Sequence, residues 1–355
     1  MARIKTLIVD DSALIRALLT KLLSRDPDID VVGAAADPYQ ARQMIKELHP
    51  DVLTLDIEMP KMDGLTFLEK IMALHPMPVV MISSLTQNNA AITIRALEMG
   101  AVDFFAKPKL DLQRGIENQA DELIQKVKVA AKAKVKAHRQ SDDQPTSKIK
   151  ASKFKFSTTE KIIVVGASTG GVEALRTVLS GLPANSPAVL VTQHMPENFT
   201  TQFAQRLNTL CAMAVSEATQ GERVLPGHVY IAPGSQHLQL KRSGANYICA
   251  LSSDPPVSGH RPSVDVLFKS AVESAGANAV GVILTGMGKD GASGLFALRN
   301  TGAKTLGQNE ESSVVYGMPR AAFELGAVEK QLDIHDIAEG ILDSCGPATD
   351  RHMRV

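Results

Sequence analysis

The sequence predicts an α/β protein of two doubly wound parallel-sheet domains, the second carrying a β-hairpin insertion. Three observations predict it. Short apolar runs alternate with amphipathic helical patterns through most of the chain. Those runs are mainly apolar, as strands buried on both faces require. The alternation breaks once, in a polar, lysine-rich stretch near the middle, and then resumes.

Taken in order, TLIVDD leads into SALIRALLTKLL, VVGAA into PYQARQMIKEL, and DVLTLDIEM into LTFLEKIMAL. VVMISS then leads into AAITIRALEMG, and DFFAKP into a long amphipathic segment. Five such units imply a parallel sheet with helices on both faces, over residues 1–125. In the first helix the spacing of Leu14, Leu18 and Leu22 predicts one buried stripe. Residues 126–157 change character: VKVAAKAKVKAHR extends the last helix, and QSDDQPTSKIKASKFK, with Pro145, is a flexible linker. The second domain, 158–347, opens with KIIVVGA, VEALRTVLSGL, AVLVTQHM and TTQFAQRLNTL. GERVLPGHVYIAPGSQHLQLKR reads as short strands and a hairpin. VDVLFKSAVESAG, AVGVILTGMGKDG, ASGLFALRNTG, AKTLGQN and closing helices follow, and 348–355 form a tail.

The chain has 355 residues, and Lys plus Arg equals Asp plus Glu at 38 each. No overall field draws it to nucleic acid or an acidic membrane. Cys211, Cys249 and Cys345 lie far apart without a C-x-x-C pair, so neither a disulfide framework nor a zinc site is expected. That usage suits a reducing cytosol. Asp10 and Asp11 interrupt the apolar run TLIV, so no signal peptide is expected there. No apolar run nears the roughly 20 residues that span a bilayer. A cytoplasmic protein is expected, without membrane insertion or a nucleic-acid partner.

In an open parallel sheet, ligands bind beyond the carboxyl ends of the strands. Asp10 and Asp11 end the first strand, Asp56 the third, Ser83 the fourth and Lys107 the fifth. Clustered carboxylates repel unless a cation joins them, and hard oxygen ligands suit Mg²⁺. With a metal and Lys107 neutralising incoming charge, Asp56 becomes a phosphoryl acceptor, and Ser83 a hydrogen-bond donor to the phosphoryl. Helix capping alone accounts for Asp11 or Ser12, but not for four coincident strand ends.

LIVDDSALIR, LTLDIEMPKMDGL, VVMISS and FFAKP resemble the receiver domain of two-component response regulators, over about residues 4–123. The resemblance implies a flavodoxin-like fold and a phosphorylatable Asp56. It also implies Mg²⁺ held by Asp11, Asp56 and the Glu58 carbonyl, with Asp10 assisting. Ser83 and Phe104 are then switch residues, and Lys107 contacts the phosphoryl group. Serine at 83, where many receivers carry threonine, keeps the hydroxyl.

IIVVGASTGG, at 162–171, permits two readings. Its glycines either cradle a phosphate or seat Ser168 as a nucleophile. A dinucleotide fingerprint needs glycine where Ser168 stands, and a Walker loop needs G-K-[ST] where Val172 and Glu173 follow Gly171. Gly166–Gly170 fits G-x-S-x-G, which exposes a serine on a sharp strand-to-helix turn. Serine needs a base oriented by a carboxylate. His194 follows the strand AVLVTQ, and Asp290 follows VGVILTG, so all three lie past the ends of parallel strands. His228, His237 and His260 are weaker bases, since none directly follows a long apolar parallel-type run. Thr169, at the helix N-terminus after Ser168, and the Met287 backbone N–H are the oxyanion candidates.

VVGASTGGVEAL, QHMPENFTTQFAQRL, YIAPGSQHL, GHRPSVDVLF, ILTGMGKDGASGL and NEESSVVYGMPRAA resemble the catalytic domain of the chemotaxis protein-glutamate methylesterases, over about residues 160–345. This implies a Rossmann-like α/β esterase domain with a Ser168–His194–Asp290 triad. Its substrate would be the γ-glutamyl methyl ester on methyl-accepting chemotaxis receptors, with deamidation of receptor glutamines as a second reaction. His260, Arg261 and Ser263 would shape the rim. A chemotaxis histidine kinase would donate the phosphoryl group, and the unphosphorylated receiver would cover the triad. Hydrolysis needs no cofactor, Mg²⁺ serves phosphorylation alone, and a monomer is expected. A DNA-binding output would need a small basic helix-turn-helix, which the large second half does not offer.

Overall fold

The structure, a computed structural model, describes residues 3–84, 86–107, 115–133, 135 and 161–346. Two compact units divide the chain, Met1–Asp142 and Asp143–Val355. Most of the 126–157 segment and all of the 348–355 tail fall outside the described residues.

The first unit runs β1 (Ile4–Val9), α1 (Ala13–Leu23), β2 (Ile29–Ala35), α2 (Pro38–Leu48), β3 (Val52–Asp56), α3 (Gly64–Leu74), β4 (Val79–Ser83), α4 (Gln87–Glu98), β5 (Asp103–Ala106) and α5 (Gly115–Ala130). Its strands form one parallel sheet in the order β2-β1-β3-β4-β5. Every residue of β3 and β4 is buried, which is why those runs are apolar without a period. Side-chain caps start the helices: Ser12 accepts from Ile15 N–H, Asp37 from Tyr39 and Gln40, and Asp63 from Thr66.

The stripe expected on α1 holds at Leu22 and fails at Leu14. Leu14 is 57% exposed, and the buried residues are Leu19, Leu22 and Leu23. The run ALIRALLTKLL is apolar at most positions, so helical spacing alone allows two faces. Packing selects the one through Leu19 and Leu23.

The second unit runs β6 (Ile162–Ala167), α6 (Gly171–Ser180), β7 (Ala188–Gln193), α7 (Phe199–Leu210), β8 (Ala214–Glu217), β9 (His228–Ile231), β10 (His237–Ser243), β11 (Asn246–Ser252), α8 (Val264–Ser274), β12 (Ala279–Ile283), α9 (Ala292–Asn300), β13 (Lys304–Gln308), α10 (Met318–Glu324), β14 (Lys330–Leu332) and α11 (Ile337–Cys345). The main sheet has the order β14-β13-β12-β6-β7-β9-β8, parallel throughout. Both units are thus doubly wound parallel sheets. β10 and β11 form the antiparallel hairpin, whose Leu238, Leu240 and Cys249 share a core with Leu267, Phe268 and Ala271 of α8. Ser270 Oγ also accepts from Leu240 N–H at 2.9 Å, locking hairpin to helix.

Strand β6 lies between β7 and β12; the chain runs outward from β6 to β7 on one side and from β12 to β13 on the other, so the two connections diverge there. The crevice at such a reversal is where open α/β sheets bind ligands. No helix among the described residues is long and apolar enough to cross a membrane.

All three cysteines are free thiols, and burial pushes each up to about 12. Thiolate is the reactive form, so raised thiols react slowly. A thiol-disulfide reagent at about pH 8 should label native Cys249 and Cys345 far more slowly than the same positions in denaturant; rapid labelling of both in the native chain would contradict their burial.

Candidate active site

Ser168 is the first residue past β6, and the chain turns sharply there into α6. Gly170, at φ 76°, makes that turn in a conformation that side chains rarely adopt. His194 is the first residue past the adjacent strand β7, and Asp290 lies in the loop after β12 on the other side. Gly286 lets that loop pass close by, since a Cβ there would sit 2.8 Å from Ser168 Cβ.

The three side chains meet. His194 Nδ1 is 3.0 Å from Ser168 Oγ, and His194 Nε2 is 2.8 Å from Asp290 Oδ2. Rotating the ring by half a turn would put carbon at both contacts, so the two hydrogen bonds fix its orientation. In the trypsin-like arrangement the two nitrogens are exchanged. The chemistry is unaffected: Nε2–H donates to the carboxylate, which leaves Nδ1 unprotonated toward the hydroxyl.

Asp290 is 2% exposed and accepts four hydrogen bonds. Besides His194, Val264 N–H donates to Oδ2 at 2.8 Å, and Ser263 Oγ and Asp265 N–H donate to Oδ1 at 2.9 and 3.1 Å. The carboxylate therefore caps the N-terminus of α8, whose dipole favours a negative charge. Burial pushes its pKa up, but the His194 contact and the Val264 and Asp265 N–H groups outweigh burial and hold it below the usual value. The ionised form that an imidazolium needs is thereby secured.

Further residues hold this frame. Thr285 carbonyl accepts from Ser168 N–H at 3.0 Å, and Thr285 N–H donates to Gln308 Oε1 at 2.8 Å. His237 is buried, with Nδ1 accepting from Ser263 N–H at 3.1 Å, so it supports Ser263 and is remote from Ser168 in bonding. His228 pairs with Ser216 Oγ at 2.8 Å and stacks on Tyr230. Of the three residues expected at the rim, Ser263 is instead fully buried because its hydroxyl bonds Asp290, and exposed Arg261 bonds the carbonyls of Ser253 and Asp254. His260 stacks on the His194 ring, with centroids 3.7 Å apart and planes within 11°. Thr169 is buried, and Met287 is half-buried beside Gly286.

In the first unit, ligand atoms of Asp10, Asp11 and Asp56 lie within 4.8 Å of one another. Lys107 Nζ is 2.8 Å from Asp56 Oδ2 and 3.3 Å from Asp10 Oδ2. Burial pushes the Asp56 carboxyl up to about 6, with Asp10 adding repulsion and Lys107 opposing both. Asp10 is raised too, again chiefly by burial. Asp56 Oδ1 is buried without a hydrogen-bond partner. Three carboxylates served by one ammonium, with an oxygen left over, fit a divalent cation with oxygen ligands. Glu58 follows in the next loop with its side chain exposed. Ser83 Oγ donates to Ser84 carbonyl at 3.1 Å and accepts from Thr93 Oγ1 at 2.9 Å. The Phe104 ring is buried, with Lys126 Nζ 5.3 Å from its centroid.

Comparison with known proteins finds a family match in each unit. The CheB methylesterase family model matches residues 163–341, and the response regulator receiver domain model matches 6–118. The chain belongs to the CheB methylesterase family. The protein-glutamate methylesterase/protein-glutamine glutaminase of Bordetella parapertussis is 54% identical over 100% of both chains. A protein-glutamate methylesterase/protein-glutamine glutaminase 1 of Geobacter metallireducens is 58% identical over 99% of each. The crystal structure of the Thermotoga maritima CheB methylesterase catalytic domain superposes with a TM-score of 0.51 at 38% identity, covering 52% of this chain and 99% of that one.

Within this methylesterase-family chain, sequence reasoning did not find the α8 cap formed by Asp290, the Thr285 anchor or the His260 stack. Only the first left a signal, the Ser263-x-Asp265 pattern of a helix start, and it does not name its distant partner.

Proposed function

We propose that the chain hydrolyses γ-glutamyl methyl esters on methyl-accepting chemotaxis receptors and deamidates receptor glutamines, through Ser168, His194 and Asp290. One observation carries this reading: a single imidazole bonds both Ser168 Oγ and Asp290 Oδ2. The printed activities of the full-length relatives support the substrate class. Ser168 Oγ attacks the ester carbonyl while His194 Nδ1 takes its proton. Thr169 and Met287 N–H groups stabilise the oxyanion. The tetrahedral intermediate collapses, His194 passes the proton to the departing methoxide, and methanol leaves a glutamyl-Ser168 ester. Water, deprotonated by His194, then releases glutamate and restores the serine. With glutamine the leaving group is ammonia, by the same steps. Hydrolysis uses no cofactor.

The receiver unit regulates this activity in the same reading. Asp56 accepts a phosphoryl group from a chemotaxis histidine kinase, and Lys107 neutralises it. Asp11, Asp56 and the Glu58 carbonyl, with Asp10 assisting, would hold Mg²⁺, which would supply positive charge to the phosphoryl group. Ser83 turns toward the phosphoryl, Phe104 responds, and the receiver ceases to obstruct the triad. The enzyme acts as a cytoplasmic monomer that needs no nucleic acid.

Methanol release from methylated receptor, with and without acetyl phosphate and Mg²⁺, tests the regulation. Wild type is expected to accelerate with acetyl phosphate and Asp56→Asn to ignore it. Deleting residues 1–150 should raise the basal rate. Equal stimulation of Asp56→Asn, or an unchanged rate from a folded truncation, would refute the regulatory reading.

A further inference from the structure

We propose that Gln193 is a positioning residue that aims an oxyanion donor and sets the spacing of nucleophile and base; this rests on the triad reading above. Gln193 closes β7 directly before His194 and is 3% exposed. Its Nε2 donates to the Ser168 carbonyl at 3.0 Å and to the His194 carbonyl at 3.3 Å. Exchanging the amide oxygen and nitrogen would set Oε1 against two carbonyl oxygens, so the orientation is determined. One carboxamide thus ties together the main chains of two residues 26 positions apart.

The Ser168 carbonyl shares a planar trans peptide with the Thr169 N–H. The two groups point in opposite directions. Gln193 Nε2 and the Gly171 N–H, the latter at 2.7 Å, hold the carbonyl on one side, and so hold the Thr169 N–H toward the other. Thr285 Oγ1 bonds the Thr169 carbonyl at 3.0 Å and steadies the next peptide in the same way. Position 171 also bears on the carboxamide. A Cβ there would lie 2.1 Å from Gln193 Oε1, so even alanine must displace the amide.

An oxyanion donor acts on charge that develops in the transition state, so its misdirection lowers kcat and spares KM. Gln193→Met keeps the length and removes the donor; Gly171→Ala leaves the donor and pushes it aside. Both are assayed in the full-length chain by methanol release from methylated receptor, with thermal unfolding as the check on folding. Loss of one oxyanion donor costs about 10²–10³ in kcat, and each variant is expected to lose about 10²-fold with KM within about threefold of wild type. A folded Gln193→Met with kcat within about threefold of wild type, or with its loss confined to KM, overturns the proposal. Should Gln193→Met fail to fold, Gly171→Ala decides by the same two criteria. Ser168→Ala, run alongside, separates the claims. An inactive Ser168→Ala beside a normal Gln193→Met overturns the positioning role alone, and an active Ser168→Ala overturns the triad on which it rests.

Discussion

Asp290→Asn is expected to lower turnover by about four orders of magnitude while the chain stays folded. The carboxylate serves two oxygens' worth of donors: His194 and Val264 on Oδ2, Ser263 and Asp265 on Oδ1. Asparagine offers one oxygen. Turned toward His194, it keeps the ring in place but loses the charge that stabilises the imidazolium, and its amide meets the Asp265 N–H. Turned away, its amide faces Nε2 and drives the proton to Nδ1, where the ring can no longer accept from Ser168. Either choice disables the base. The cap on α8 also loses its charge, at a cost of about 1–2 kcal/mol in stability. The sign of the pH dependence follows from the depressed pKa: that contribution is complete above the ordinary value of 3.8 and is lost as pH falls through the lower folded value. Methanol release and thermal unfolding read the two effects separately, and near-normal turnover would remove Asp290 from the triad.

His194→Ala is expected to cost about 10⁵–10⁶ in turnover, and adding Ser168→Ala to it should cost almost nothing more. Serine and imidazole act as one device, since the hydroxyl is a nucleophile only while Nδ1, 3.0 Å away, takes its proton. His260 cannot substitute. Its ring lies flat on the His194 face, within 11° of parallel, instead of at the Nδ1 position. Kinetics of the two single variants and the double variant check this. Losses that multiply in the double variant would mean that the two residues act independently, and would argue against proton transfer between them.

The architecture was legible because parallel strands buried on both faces must be apolar at most positions, and β3, β4, β6 and β7 are buried throughout and mainly apolar. The candidate triad was legible for a related reason: Ser168 and His194 each follow directly on such a strand, and Asp290 follows a third. The buried face of α1 was not fully legible, because a helix apolar at most positions lets packing choose its face. Nor was the second task of Asp290. Its carboxylate caps a helix that begins 26 positions earlier at Val264, a contact that no local spacing announces. The side on which Nδ1 falls depends on how β7 delivers the His194 backbone, and residue type carries no trace of it. Gln193 reads in the sequence as the polar end of a strand, while folding places its amide across two carbonyls.

The most direct test of the central claim is the rate of methanol release from methylated receptor by full-length Ser168→Ala, phosphorylated as the wild type is. The triad account predicts release close to the uncatalysed background, with receptor binding retained. Release within about tenfold of wild type would show that another group attacks the ester, and would contradict it.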